Sequence, residues 1–243
     1  MVQSMKTILI SMLLLTFFIS CSSSMLRCAE ENACQNNKGR YVAKGEFKDV
    51  YEGTTKISPF FNFWFDRILP YGYGKMLYIQ EKPGYVRYES LIHSYEGEWD
   101  WIQPNPNIDY KSVYHGKGIK TMKDGTVIDT EWNYGDHKIG SKGKITFKDG
   151  RIISGIWGKY FLCSGNCLNG SGSWSSSLGG WIQTGTFTNG SLNGYGTEET
   201  NEYIFTGIFE KNAKISGKVK CKVEVTNCKN SIPGGFHSKL IFE

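Results

Sequence analysis

Two stretches of this chain are near copies. Gly118-Ile-Lys-Thr-Met-Lys-Asp-Gly125-Thr-Val-Ile128 returns as Gly143-Lys-Ile-Thr-Phe-Lys-Asp-Gly150-Arg-Ile-Ile153, and the same offset carries Trp132 onto Trp157. A fixed internal period restricts a chain to architectures built by stacking one small unit on the next. Each copy reads as a β-hairpin. Asp124-Gly125 and Asp149-Gly150 are two-residue type I′ turn signals, with φ above zero expected at both central residues. Such a turn predicts Phe147 opposite Ile152, Thr146 opposite Ile153, and Met122 opposite Val127.

Composition agrees. The 243 residues include 29 Gly but only 6 Pro, and 14 Phe, 14 Tyr and 7 Trp. Many glycines and aromatics with few prolines point to short strands joined by tight turns. After residue 20 no stretch shows apolar spacing at the helical period, so the mature chain reads as nearly all β. Lys and Arg number 28 against 23 Asp and Glu, a formal +5. That excess is too weak to point to nucleic acid, and no nucleic-acid partner is expected.

The pattern continues on both sides with looser spacing. Gly185-Thr-Phe187-Thr-Asn-Gly190-Ser-Leu-Asn-Gly194-Tyr-Gly196 is one unit, and Gly207-Ile-Phe209 opens another that reaches Gly217. Upstream, Tyr95-Glu-Gly97-Glu-Trp99 opens a unit that closes at Gly116-Lys-Gly118, and Tyr71-Gly72-Tyr-Gly74 ends one that starts near Gly45-Glu-Phe47. Aromatic-x-Gly-x-aromatic followed by Gly-x-Gly resembles the MORN repeat. The resemblance covers residues 41–218 in about six units, several degenerate. Thr130 stands where glycine is expected before Trp132, and Ser141 fills a glycine position before Gly143. It implies an elongated antiparallel sheet of successive hairpins, with an aromatic-rich insertion near 53–93. Trp99, Trp132, Trp157, Phe187 and Phe209 then form a ladder on one face, with glycines leaving room for their rings. Ladder packing is the default role of these rings, and ligand binding the alternative.

The N-terminus reads as an address. Lys6 precedes an apolar run over residues 8–19, too short for a membrane span and suited to a signal peptide over residues 1–20. The run ends in Phe18-Ile19-Ser20-Cys21, which resembles the lipobox of bacterial lipoproteins. That resemblance implies acylation of Cys21 as the first mature residue, palmitate among its chains, and membrane attachment. Ser22 after the cysteine, rather than Asp, implies the outer membrane by the same resemblance. The alternative is an ordinary secretory signal with Cys21 left as a thiol. Residues 21–40 then form a tether and 219–243 a C-terminal cap.

Six cysteines remain: Cys28, Cys34, Cys163, Cys167, Cys221 and Cys228. An even count behind a signal sequence implies disulfides. Fifteen connectivities exist, and neighbour pairing is the economical one. Metal binding is the rival, but Cys-x-x-Cys is absent and His is scarce, so neither metal nor cofactor is expected.

Two segments break the repeat. Residues 58–65 pack five aromatics including Trp64 into a run that either docks on a membrane or partner, or plugs the sheet. Residues 101–110 form a Pro-containing hairpin loop. No P-loop, His-Glu-x-x-His or Gly-x-Ser-x-Gly occurs. Ser141-x-x-Lys144 lies in a strand region rather than at the helix start its chemistry needs. The expectation is a non-enzymatic, lipid-anchored envelope protein whose sheet is a scaffold or interaction surface. The alternatives are a module binding glycan or lipid headgroups through its aromatics, and an enzyme of unfamiliar type.

Overall fold

The computed structural model describes residues 25–30, 34–44, 49–57, 68–79, 91–103, 111–176, 180–222, 228 and 240–242. Cys21, the aromatic run with Trp64, and residues 104–110 lie outside the described residues. The described residues form eighteen β-strands and no α-helix. They divide into two compact units, Met1–Val113 and Tyr114–Glu243.

The first unit holds β1 (Met25–Cys28), β2 (Cys34–Gln35), β3 (Lys38–Lys44), β4 (Val50–Ile57), β5 (Ile68–Leu77) and β6 (Ile92–Ile102). From β2 to β6 each strand pairs antiparallel with the next, and β1 lies antiparallel to β3. The unit boundary falls within β7 (Lys111–Met122). The second unit continues with β8 (Val127–Asn133), β9 (Asp136–His137), β10 (Lys142–Thr146), β11 (Ile152–Trp157), β12 (Phe161–Gly165) and β13 (Gly170–Ser176). It ends with β14 (Trp181–Thr188), β15 (Ser191–Thr200), β16 (Tyr203–Glu210), β17 (Ala213–Cys221) and β18 (Leu240–Phe242). Strand β8 lies between β7 and β10, with the short β9 beside its end. From β10 to β17 every strand pairs antiparallel with its sequence neighbour.

One row of glycines organises each unit. In the first, Gly39, Gly53, Gly74 and Gly97 are successive cross-strand partners. In the second, Gly165, Gly172, Gly185, Gly196, Gly207 and Gly217 run unbroken across six strands. Between Gly118 and Gly143 the partner is Thr130, the residue marked in the sequence as standing in a glycine position. The row exists because rings lie across it. A Cβ on Gly143 would run into the Trp157 indole nitrogen, and one on Gly74 into the Tyr51 phenol. Trp99 Nε1 donates to Gly74 O at 3.2 Å and Trp132 Nε1 to Gly118 O at 2.9 Å, so the bare backbone also accepts the indole hydrogens. Gly53 and Gly217 add φ of 154° and 158°, which side chains rarely adopt.

Residues alternate along each strand between this ring-covered face and an outer face. On the outer face of the first unit, the row beside the glycines is Arg40, Glu52, Lys75 and Glu96, alternating in charge. On the second unit the corresponding row over β12–β17 is Ser164, Ser173, Thr184, Thr197, Thr206 and Lys218.

The turns correct the expected register of the two Asp-Gly hairpins. At Asp124-Gly125 and Asp149-Gly150 only the glycine has positive φ, 92° and 84°. Gly125 N donates to Met122 O and Met122 N to Thr126 O, so the loop has three residues: a type I turn closed by a left-handed glycine. The pairing therefore slips by one. Thr146 faces Ile152, Ile145 faces Ile153, and Thr121 faces Val127. Each aspartate holds the turn by accepting the amide two residues on, at 2.8 Å from Thr126 and 3.0 Å from Arg151. Two-residue turns with φ positive at both positions occur instead at Asn36-Asn37, Tyr134-Gly135, Asn189-Gly190 and Lys211-Asn212. Gly170, by contrast, begins β13 with φ of 157°. Lys218 and Lys220 belong to β17, whose far side is paired in parallel by β18.

Disulfides join Cys28 to Cys34, Cys163 to Cys167 and Cys221 to Cys228, the neighbour pairing. Cys167 and Cys228 are buried in one apolar cluster with Phe187, Leu192, Tyr203, Phe205, Phe209 and Val219, against which Cys163, Trp174 and Cys221 pack. The last two bridges are part of the second unit's core, not only clasps on its loops.

Candidate functional site

The ladder aromatics are placed inside. Trp99, Trp132, Trp157, Phe187 and Phe209 are each at most 5% exposed. Trp99 meets Tyr95 and Tyr51 edge-on at 5.0 and 5.8 Å. Trp132 meets Tyr114 at 5.7 Å, and Trp157 stacks on His137 at 4.1 Å. Phe209 meets Phe205 edge-on at 5.0 Å. These contacts occupy the rings as core, so none of the five presents an open face.

The ladder carries a polar break on β14 and β15. Two residues before the row glycine, the chain places Tyr51, Tyr95, Ile128, Ile153 and Phe205; at the same position of β14 it places Gln183. Directly across on β15 stands Glu198. Gln183 is 0% exposed and Glu198 3%. Gln183 Nε2 donates to Glu198 Oε2 at 2.6 Å. Tyr203 Oη donates to Glu198 Oε1 at 2.8 Å, and the buried Lys214 ammonium pairs with the same oxygen at 2.5 Å. The Lys214 stem comes from the far end of β17 across the rings of Phe205 and Tyr203, with its ammonium 5.9 and 5.5 Å from their centroids. Burial by itself would raise the Glu198 carboxyl. The bonds from Lys214, Gln183 and Tyr203 outweigh it and hold the group below the usual carboxylate value. Burial and the Glu198 carboxylate push the Tyr203 phenol well up. The cluster is thus an ionised pair in a dry core.

Beside the cluster lies an aromatic corner. Trp174 on β13 is the cross-strand partner of Gln183. Trp181 precedes Gln183 by two residues and shares its face. The indoles of Trp174 and Trp181 are 4.9 Å apart with planes at 69°, and Phe161 continues from Trp174 at 5.4 Å. Trp181 is 42% exposed. Gln183 Oε1 is buried and has no hydrogen-bond partner among the described residues.

A second concavity, about 610 Å³, lies on the outer face of the second unit. There the β10–β11 turn meets the end of β15. Arg151 grips Glu199 with both terminal nitrogens, at 2.7 and 2.9 Å, and its Nε donates to Asp149 at 2.6 Å. Lys222 adds a third bond to Glu199 at 3.0 Å. Burial of Glu199 opposes its ionisation, but Arg151 and Lys222 prevail and keep its carboxyl low. Every charge on this wall that enters these bonds is matched by an opposite one.

Among the described residues, no three His, Cys, Asp or Glu converge as a metal site would require. Ser141 is buried with Oγ donating to Lys138 O at 2.7 Å, while Lys144 is exposed. No family model matches the chain, and no curated protein matches it.

Sequence reading missed Gln183, Glu198, Tyr203 and Lys214. A signal was present: two residues before its row glycine, β14 carries Gln183 where β4, β6, β11 and β16 carry Tyr51, Tyr95, Ile153 and Phe205. Lys214 carried no such mark, since its head reaches Glu198 only along a twisted face.

Proposed function

We propose that this chain is a non-catalytic, lipid-anchored envelope protein of a bacterium, whose MORN-type hairpins form a scaffold or interaction surface. The observation that carries the proposal is the glycine row. It commits the ladder aromatics to packing and leaves the outer face, strand after strand, as the surface available to a partner. That face is patterned: alternating charges on one unit and hydroxyls on the other. Cys21 and the apolar run before it supply the anchor, with palmitate among the acyl chains and the outer membrane as destination. Three disulfides fit an oxidising compartment outside the cytoplasm.

The test combines radiolabelled palmitate with proteolysis of intact cells. Wild type should incorporate label and a Cys21→Ala variant should not. Cleavage of the chain on intact cells places it on the outside; protection places it on the periplasmic side. Equal labelling of both forms, or none in either, overturns the anchor.

A further inference from the structure

The geometry points to a binding site for a neutral sugar at the Trp174–Trp181 corner, with Gln183 as its buried acceptor. Three observations combine. The two indoles stand 69° apart and offer two walls, and Phe161 extends one of them. The C–H face of a pyranose fits against such a wall, burying apolar area that water otherwise covers. Next, Gln183 Oε1 has no partner among the described residues although the residue is fully buried. Its amide orientation is fixed, because only the NH₂ end can donate to the Glu198 carboxylate. Trp174 on β13 and Glu198 on β15 are the two cross-strand neighbours of Gln183, and Nε2 is engaged on the β15 side. A buried acceptor without a donor is destabilising, and a ligand hydroxyl relieves that cost.

The third observation is charge. An aromatic corner next to a carboxylate also describes a cage for an ammonium ligand. Here Glu198 is already neutralised by Lys214 at 2.5 Å, so an arriving cation would face the lysine as well. The acceptor on offer is an uncharged amide oxygen. What suits it is a neutral molecule with an apolar face and hydroxyl or amide hydrogens: a hexose or N-acetylhexosamine unit. Glu198 acts as a positioning residue that holds the Gln183 amide. Because Oε1 is shielded, a neighbouring indole must turn for a hydroxyl to reach it, and the site closes on its ligand.

This site lies on the ladder face, beyond the outer face proposed above, and it rests on the reading of the chain as an anchored interaction scaffold. The test is titration of the detergent-solubilised full chain with chitotetraose, cellotetraose and maltotetraose, read by tryptophan emission and near-ultraviolet circular dichroism. At least one should quench saturably at millimolar concentration. Trp181→Ala, at an exposed position, should keep the far-ultraviolet spectrum and weaken binding about tenfold or more, while Trp181→Phe retains part of it. Gln183→Leu, which removes the acceptor and keeps the wall, should weaken binding by about tenfold. The proposal is overturned if no sugar gives saturable quenching, if Trp181→Ala binds like wild type, or if choline chloride saturates the signal where sugars do not. Failure here with intact palmitate labelling removes the sugar site and leaves the anchored scaffold standing.

Discussion

At the scale of single residues, the second unit rests on two kinds of exacting position. Glu198 and Lys214 are charges in an apolar core, tolerable because each is the other's partner. Glu198→Gln leaves the ammonium buried without its counter-charge and should cost about 3–5 kcal/mol in urea unfolding at pH 7. The pH dependence has a definite sign. The folded carboxyl is held below its ordinary value, so its contribution is full above about pH 4.3 and is lost as pH falls through the folded value. The gap between wild type and Glu198→Gln should therefore narrow in acid; a gap constant from pH 7 to pH 3 would contradict the assignment. The second kind of position is the row glycine under a ring. Gly143→Ala drives a methyl into the Trp157 indole and should destabilise by about 1–3 kcal/mol, seen as a lower thermal midpoint. The same change at Gly190, where an added Cβ meets nothing, isolates the strain of its φ of 76°.

At the scale of elements, the hairpin is the unit, and its turn sets its register. The Asp-Gly pairs announced hairpins, but the dipeptide alone does not choose between a two-residue and a three-residue loop. That choice depends on whether Asp124 and Asp149 go left-handed, and here they remain right-handed and bind the amide beyond the glycine. Hence the hairpins were legible and their pairing was off by one. Thr130 was legible as a displaced glycine because its neighbours kept the spacing on both sides. The contact of the β10–β11 turn with β15 was not legible. Arg151 and Glu199 lie 48 residues apart, and nothing local marks either as the other's partner. Arg151→Ala should loosen that docking with little global effect, below about 1 kcal/mol because the arginine is half exposed. Hydrogen exchange should quicken at the Phe147 and Gly150 amides of that turn; unchanged protection there would mean that the turn is held by other contacts.

At the scale of the whole molecule, each unit is built almost wholly from contacts between successive strands, as expected of a repeat array. The three disulfides follow the same rule, with sequence separations of 6, 4 and 7. Locality has a consequence for the order of events when the chain is made. On the export route proposed above, a polypeptide emerging N-terminus first would expose Cys28 and Cys34 together, then Cys163 and Cys167, and last Cys221 and Cys228. Each of the three pairs would then be complete before the next pair emerges, so oxidation could proceed in step with emergence. The last two bridges meet in a common core, so the bridge that forms last is packed against one formed earlier.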